Sequence, residues 1–212
     1  MKNLLIIQSS ARITRSNTRH LTARFAQRWQ AHLPDAAVKV RDVGLNPPPA
    51  IDETWIAAAF GESPTSERSL ALSEELIAEL EWADAVVLGV PMYNFGLPAA
   101  LKAWFDQIVR VGRTFAFDAT AAEPYQPLLQ DKPTVALVSV GDGALLPGGE
   151  LAHLNHLEPH LQTMLAFIGL YDLRYVRAGY DEYQDQRFRK SLATAEAQVD
   201  AAVAQLFSAA VA

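Results

Sequence analysis

Residues 84–98 read DAVVLGVPMYNFGLP, and this stretch decides the fold. Its first seven residues form an almost wholly apolar run, which is typical of a strand buried on both faces of a parallel sheet. The run stops at Pro91, and Pro98 suits the first turn of a helix. The stretch therefore predicts a strand, a loop and a helix in succession, which is the repeating unit of α/β folds.

The same alternation of strand and helix extends along the chain. Helical periodicity is clearest at residues 69–82. Further short apolar runs, which predict four more strands, lie at residues 3–8, 38–43, 134–140 and 173–177. We therefore expect an α/β fold with a flavodoxin-like, doubly wound, five-stranded parallel sheet of order 2-1-3-4-5 in three α/β/α layers, formed by a single domain over residues 1–212.

The remaining segments divide into helices and connections. Further helices are predicted after Ser16, after Pro98, and at residues 51–60, 153–168 and 185–211. Residues 61–65 and 141–149 are expected to be loops. Residues 114–133 form a long connection without a strong period, and a connection of that length in a compact domain is usually functional.

Composition narrows the classes of function. The chain has 212 residues, a net charge of −6 and no cysteine, which excludes disulfides, thiol catalysis and Cys-ligated metal sites. The negative charge argues against a nucleic-acid partner. The apolar runs are too short to cross a membrane, and the first residues lack the pattern of a secretory signal. We therefore expect a cytoplasmic protein without a membrane partner or a metal site.

The loop after the first strand carries hydroxyl and amide side chains where a helix is expected to begin. Ser16, Asn17 and Thr18 start that helix, and Ser10 precedes them. Together with the free backbone N–H groups of the first turn, these side chains form a set of donors that suits a phosphate. The alternative is ordinary N-capping by serine or asparagine, which is common.

The loop after the third strand is rich in apolar, aromatic and amide groups. Its residues are Pro91, Met92, Tyr93, Asn94 and Phe95. Such a loop can line a flat heteroaromatic ring, and the amide of Asn94 can donate and accept hydrogen bonds at once. The alternative is a small hydrophobic cluster beneath the neighbouring loop.

The loop after the fourth strand contains Ser139, Val140, Gly141 and Asp142. Glycine lets the backbone approach a ligand closely, and Ser139 can form a hydrogen bond with the edge of a ring. Taken alone, an ordinary glycine turn explains this loop equally simply.

Because the carboxyl ends of parallel strands meet at one edge of a sheet, these three loops are expected to converge. A donor loop, an aromatic loop and a glycine loop at one edge indicate a flat cofactor with a phosphate, and FMN is the first choice. Dinucleotide-binding, P-loop and hydrolase motifs are absent from the sequence, which disfavours those classes. A receiver-type signalling domain would need acidic residues after the first strand, where Gln8 and Ser9 stand instead.

The same residues resemble the FMN-dependent NADH:quinone reductase and azoreductase family, a branch of the flavodoxin-like superfamily. The resemblance extends over nearly the whole chain. Its most specific motifs are P-M-Y-N-F at residues 91–95, L-K-x-W-x-D at residues 101–106 and R-x-G-x-T-F at residues 110–115. Ser9-Ser10 with Ser16-Asn17 is similar to the phosphate loop of the family, and Phe167-Ile168-Gly169 also matches.

The resemblance implies roles for particular residues. Ser10 and residues 16–18 would bind the phosphate and ribityl chain of FMN, residues 92–95 would wrap the isoalloxazine ring, and residues 139–142 would contact its other edge. Phe115, Phe117 and Phe167 would lie near the substrate pocket. The family consists of homodimers in which the partner chain completes each flavin site. The implied reaction is hydride transfer from NADH or NADPH to FMN, followed by reduction of a quinone or an azo compound.

One loop departs from the family pattern. The family often has S-R-G-G where this chain has SVGDG at residues 139–143. The missing arginine removes a cation near the flavin, and Asp142 adds a negative charge. The preferred substrate and the choice between NADH and NADPH therefore stay open at this point.

No acid–base pair is evident, so the chemistry is expected to centre on the flavin. Tyr93 and Asn94 are the candidate proton donors, whereas surface or capping positions are the simpler explanation for His153 and His156. The main alternative function is a flavodoxin-like electron carrier without a substrate site of its own. The aromatic residues near position 115 and the long connection after them favour an enzyme.

Overall fold

The computed structural model describes residues 2–61 and 66–209. A parallel sheet is formed by β1 (Asn3–Gln8), β2 (Ala37–Asp42), β3 (Ala85–Pro91), β6 (Thr134–Ser139) and β7 (Leu173–Ala178), and a separate hairpin is formed by β4 (Phe115–Phe117) and β5 (Tyr125–Pro127). The strand order of the sheet is β2-β1-β3-β6-β7, and every neighbouring pair is parallel. The predicted order 2-1-3-4-5, counted over the five sheet strands, is confirmed.

Helices cover both faces of the sheet. They are α1 (Asn17–His32), α2 (Glu53–Ala59), α3 (Ser66–Trp82), α4 (Ala99–Ile108), α5 (Leu157–Ile168) and α6 (Gln186–Ala209). In β1, Leu4 and Ile6 belong to the core beneath α1 and α6, whereas Leu5 and Ile7 belong to the core beneath α3, α4 and α5. Successive side chains of a strand point to opposite faces, so a strand covered on both sides must be apolar throughout. This is why the apolar runs predicted the fold.

Strand β2 is less buried than the others because it lies at the edge of the sheet. Val40 is 56% exposed, whereas Val43, which follows the strand, is fully buried. The sequence placed Val43 inside this strand, and the structure ends the strand at Asp42.

Two predicted segments differ from the structure. Residues 114–133 were predicted as a long connection without a strong period, and the structure places the β4–β5 hairpin within it. The helix expected at residues 153–168 is divided into a 3₁₀ turn at Ala152–Leu154 and α5. Asn155 divides them, because its side-chain oxygen accepts from the Glu158 N–H at 3.1 Å and its amide donates to the Leu145 carbonyl at 3.2 Å. Such side-chain bonds compete with helical backbone bonds.

Other boundaries agree closely with expectation. Helix α2 confirms the weak helical pattern at residues 51–60, and Trp55 ties it to α4 through a hydrogen bond of 2.9 Å to Gln107. Residues 62–65 of the loop expected at 61–65, and residues 210 and 211 of the helix expected at 185–211, lie outside the described residues. Over residues 2–61 and 66–209, no helix is long and apolar enough to span a membrane.

Candidate functional site

A cleft of about 440 Å³ opens at the carboxyl ends of β1, β3 and β6. Strand order reverses beside β1, and this is the position at which open α/β sheets bind ligands. Every residue predicted to bind a cofactor lines the cleft except Phe95 and Asp142. The three loops that the sequence singled out therefore form the walls of one cavity.

Hydroxyl groups line the end of the cleft at the start of α1. The Ser16 hydroxyl donates to the Ser10 hydroxyl at 2.9 Å and lies 3.4 Å from the hydroxyl of Thr18. We call these three side chains the hydroxyl cradle. Ser16 is also the N-cap of α1, where it accepts from the Arg19 N–H at 3.3 Å. Free N–H groups and the helix dipole favour an anion at such a helix start.

Arg19 braces this loop from outside the cleft. Its guanidinium donates to the Ser10 carbonyl at 2.6 Å and to the Arg12 carbonyl at 2.8 Å. It also forms a bidentate salt bridge with Asp42, with distances of 2.6 and 2.8 Å. Burial acts to raise the pKa of the Asp42 carboxyl, but bonds from Arg19 and from the Leu45 backbone outweigh it and lower that pKa. The positive charge of Arg19 is therefore paired with the Asp42 carboxylate.

Gly44 allows β2 and the first loop to approach each other. A Cβ atom at this position would lie 2.2 Å from the Ser10 carbonyl oxygen, which is closer than real contacts permit. Only glycine fits here without displacing the backbone that carries Ser10.

The aromatic loop ends in a tight turn. The N–H groups of Tyr93 and Gly96 each donate to the other residue's carbonyl at 3.1 Å, and Asn94 and Phe95 have φ angles of 48° and 68°. Two consecutive positive φ values define a type I′ turn, which asparagine tolerates and phenylalanine does not favour. A strained non-glycine residue beside a cleft is often found at a ligand-binding site.

Hydrogen bonds join the three loops to one another. The Tyr93 hydroxyl accepts from the Ala11 N–H at 3.3 Å, which links the second loop to the first. The Asn17 amide donates to the Ser139 hydroxyl at 3.2 Å, which links the first loop to the third. The Met92 N–H donates to the Ser139 carbonyl at 2.8 Å. The walls of the cleft are therefore held in a fixed arrangement.

Asp142 and Phe95 lie outside this wall. The Asp142 carboxylate accepts from the Ala144 N–H at 2.9 Å and from the Tyr183 hydroxyl at 2.8 Å, and these bonds lower the pKa of Asp142. The Asp142 carboxylate therefore stabilises its own loop through these two hydrogen bonds. The Phe95 side chain is half exposed, and its carbonyl accepts from the His156 N–H at 3.0 Å.

The predicted substrate residues form a group of their own. Phe115 and Phe167 have ring centroids 4.8 Å apart, and Tyr125 lies 5.6 Å from Phe167 and 5.2 Å from Phe117. We call these four residues the aromatic cluster. None of them lines the cleft of its own chain. Phe167 lies in the last turn of α5, just before β7 begins, so the cluster lies towards the amino ends of β6 and β7, away from the cleft.

Four cleft residues were not predicted from the sequence: Arg12, Arg15, Asp181 and Glu182. The acidic pair follows β7, so the rule that sites lie beyond the carboxyl ends of strands could have found it. The arginines lie in the loop after β1, where the prediction of a phosphate site rested on hydroxyl and amide side chains. His153 and His156 do not line the cleft.

The residues present fit FMN. The hydroxyl cradle and the first turn of α1 supply donors for a phosphate monoester, and the cleft continues past Met92 and Asn94 to Gly141. In the described part of the chain, no cluster of histidine, aspartate or glutamate could hold a metal ion.

Comparison with known proteins gives the same assignment. A family profile described as "Flavodoxin-like fold" matches residues 2–202. The FMN-dependent NADH:quinone oxidoreductase of Opitutus terrae is 53% identical over 214 residues, covering 99% of this chain and 100% of that protein. FMN-dependent NADH:quinone oxidoreductase 1 of Pseudomonas fluorescens is 42% identical over 203 residues, covering 92% and 95%.

Solved structures share the fold. An azoreductase from Bacillus anthracis str. Sterne superposes with a TM-score of 0.85 at 20% identity and covers 96% of this chain and 99% of its own. An FMN-dependent NADH-azoreductase from Bacillus anthracis str. Ames Ancestor, solved in complex with FMN, gives a TM-score of 0.84 at 21% identity, covering 97% and 99%. From the sequence relatives and the family profile, the chain belongs to the flavodoxin-like family that includes the FMN-dependent NADH:quinone oxidoreductases.

Proposed function

We propose that this protein is an FMN-dependent oxidoreductase that takes a hydride from NADH and reduces quinones and azo compounds. The observation that carries the proposal is the single cleft in which the hydroxyl cradle, the aromatic loop and the glycine loop meet. The bond from Asn17 to Ser139 holds the phosphate-binding and ring-binding walls together. The names of the sequence relatives support the same cofactor, donor and acceptor.

Each wall has a distinct task in this proposal. Ser10, Ser16 and Thr18 bind the phosphate, and Asn17 positions the start of the ribityl chain. Met92, Tyr93 and Asn94 flank the ring on one side, and Phe95 completes the turn that carries them. Ser139, Val140, Gly141 and Asp142 form the loop at its other edge, with the Asp142 carboxylate shaping the loop. When bound, FMN would supply the hydride-transfer chemistry between NADH and the acceptor.

Tyr93 and Asn94 are the groups that could hold a proton near the reacting atoms. The Tyr93 oxygen already accepts from Ala11, so its own proton is free for another acceptor in the cleft. The Asn94 amide lines the cleft and can orient a ring edge. The protein otherwise acts by positioning and by excluding water from the ring.

We also propose that the protein is a homodimer in which the aromatic cluster contributes to the partner's site. Phe117 and Tyr125 keep 52% and 56% of their area exposed, although both are large aromatic residues. Phe115, Phe117 and Phe167 would then line the substrate pocket of the other chain. The cytoplasm is the expected location because NADH is used there, and no nucleic-acid or membrane partner is invoked.

An anaerobic rapid-mixing experiment tests the proposed function. Protein loaded with FMN is mixed with NADH, and the yellow absorbance of oxidised flavin is followed. We expect rapid bleaching, and return of the colour when a quinone or an azo dye is added. The competing function is an electron carrier, for which NADH alone would leave the flavin oxidised. Flavin that stays yellow with both NADH and NADPH would refute the proposal in favour of the carrier.

A further inference from the structure

Three arginines border the end of the cleft that carries the hydroxyl cradle, and they differ in how their charge is used. Arg19 is bonded to Asp42 and to two backbone carbonyls. Arg12 forms an ion pair with Asp181 at 3.5 Å. Arg15 has no hydrogen bond or ion pair with any residue in the described ranges 2–61 and 66–209. Its guanidinium is therefore available to a ligand.

The backbone presents Arg15 at the cradle. Arg15 directly precedes the N-cap Ser16 and has a φ angle of 58°, in the left-handed region that arginine rarely adopts. The loop that carries Arg15 is held at the carbonyls of Ser10 and Arg12, which accept from the Arg19 guanidinium. Strain of this kind persists where the surroundings fix it, and it is common in ligand clamps.

Arg15 determines the net charge of the residues that line the cleft. The cleft is lined by two arginines, Arg12 and Arg15, and by two acids, Asp181 and Glu182. The hydroxyl cradle is neutral, and Arg12 is already opposed by Asp181. A phosphate monoester carries close to two negative charges at neutral pH. Without Arg15 the lining would be net negative, which opposes such a ligand.

We propose that Arg15 selects the phosphorylated form of the cofactor, pairing its guanidinium with the FMN phosphate so that the site favours FMN over riboflavin. This inference rests on the proposed function, since it assumes that FMN binds in the cleft. Arginine matches phosphate geometry with two parallel N–H donors, which makes it more selective than a lysine at the same position.

Titrations of apoprotein with FMN and with riboflavin test the assignment, with quenching of flavin fluorescence as the readout. We expect Arg15→Gln to weaken FMN binding by about tenfold and to leave riboflavin affinity unchanged. The Arg15→Gln protein should also show a smaller loss of FMN affinity when salt is raised. Arg15→Lys, which keeps the charge without the planar fork, should fall between wild type and Arg15→Gln.

Arg28→Gln is the matched control. It removes one positive charge from α1, the helix that Arg15 precedes, but Arg28 lies far along α1 and pairs with Asp200. We expect its affinity for both flavins to equal that of wild type. This control separates pairing at the phosphate from a change in net charge.

The outcomes distinguish this inference from the function on which it rests. If Arg15→Gln weakens FMN and riboflavin equally, Arg15 merely shapes the loop and the assignment is wrong. If Arg15→Gln leaves FMN affinity unchanged, the assignment is also wrong while the proposed function stands. Wild-type protein that binds neither flavin would overturn the proposed function together with the assignment.

Discussion

Replacing Gly44 by alanine tests how the cleft is built. Gly44 follows β2, and its N–H donates to the Gln8 carbonyl at 3.0 Å. A Cβ at this position would lie 2.2 Å from the Ser10 carbonyl oxygen and 2.9 Å from the Ser9 carbonyl carbon. Both are backbone atoms, so no side-chain rotation relieves the overlap.

The Gly44→Ala substitution must therefore move the backbone of the first loop. Ordinary contact begins at 3.4 Å, so the Ser10 carbonyl has to retreat by about 1.2 Å from its distance of 2.2 Å. Overpacking of this kind costs about 1–3 kcal/mol of unfolding free energy, and each kcal/mol lowers Tm by roughly 2–4 °C in a domain of this size. The same movement disturbs the bond between Ser16 and Ser10, and a displacement of about 1 Å at a binding group costs on the order of tenfold to a hundredfold.

Two measurements separate these effects. Thermal denaturation gives the loss of stability, and titration with FMN gives the loss of affinity. Gly61→Ala is the control, since Gly61 has a φ angle of 74° with open space around it. We expect this control to lower Tm by straining the backbone and to leave FMN affinity unchanged. Gly44→Ala protein with wild-type affinity for FMN would refute the argument that the first loop must sit this close to β2.

Three further predictions concern single side chains. Phe95→Gly should raise the unfolding free energy of the apoprotein by up to about 1 kcal/mol in urea denaturation, because a glycine removes the strain at a φ of 68°; a lower value would contradict the turn assignment. Asn17→Ala should weaken FMN binding several-fold, roughly as expected for one lost hydrogen bond to Ser139, and equal affinity would remove that bond from the account. Asp42→Asn should remove about 1 kcal/mol of stability at neutral pH by releasing Arg19. Since the pKa of Asp42 is lowered by folding, its contribution is present above the unfolded pKa of about 3.9 and is lost as pH falls through the folded pKa, so acid unfolding should be shallower in the variant than in wild type.

The sheet could be predicted from sequence because its strands are covered on both faces. A strand such as β3 must then be apolar at every position, and the pattern is readable without knowledge of its partners. The β4–β5 hairpin gave no such signal, because each strand has only three residues and all three residues of β5 are exposed. The division before α5 was missed because it depends on Asn155 reaching Leu145, a contact that only the folded chain provides.

The sequence predicted those parts of the candidate site that follow from the order and direction of the strands. The carboxyl ends of parallel strands converge, so Ser16, Asn94 and Gly141 could be placed in one cleft from their positions in sequence. The contact of Asp142 with the cofactor stays a prediction, and its carboxylate accepts hydrogen bonds from the Ala144 N–H and the Tyr183 hydroxyl. No sequence pattern specifies such local bonding.

Sequence analysis also could not show that Arg15 lacks an acidic partner among residues 2–61 and 66–209. Arg12, Arg15 and Arg19 stand close together in sequence, and nothing in their spacing tells which of them finds an acidic partner. The structure pairs Arg12 with Asp181 and Arg19 with Asp42, both distant in sequence. Ion pairs between residues distant in sequence therefore determine which of the three arginines can interact with a ligand.

A crystal structure of the protein grown with FMN tests the central claim most directly. The account predicts the phosphate at the hydroxyl cradle of Ser10, Ser16 and Thr18, with the ring lying between Met92 and Gly141. Electron density for FMN at any other place on the chain, or a cleft that stays empty at saturating FMN, would contradict it.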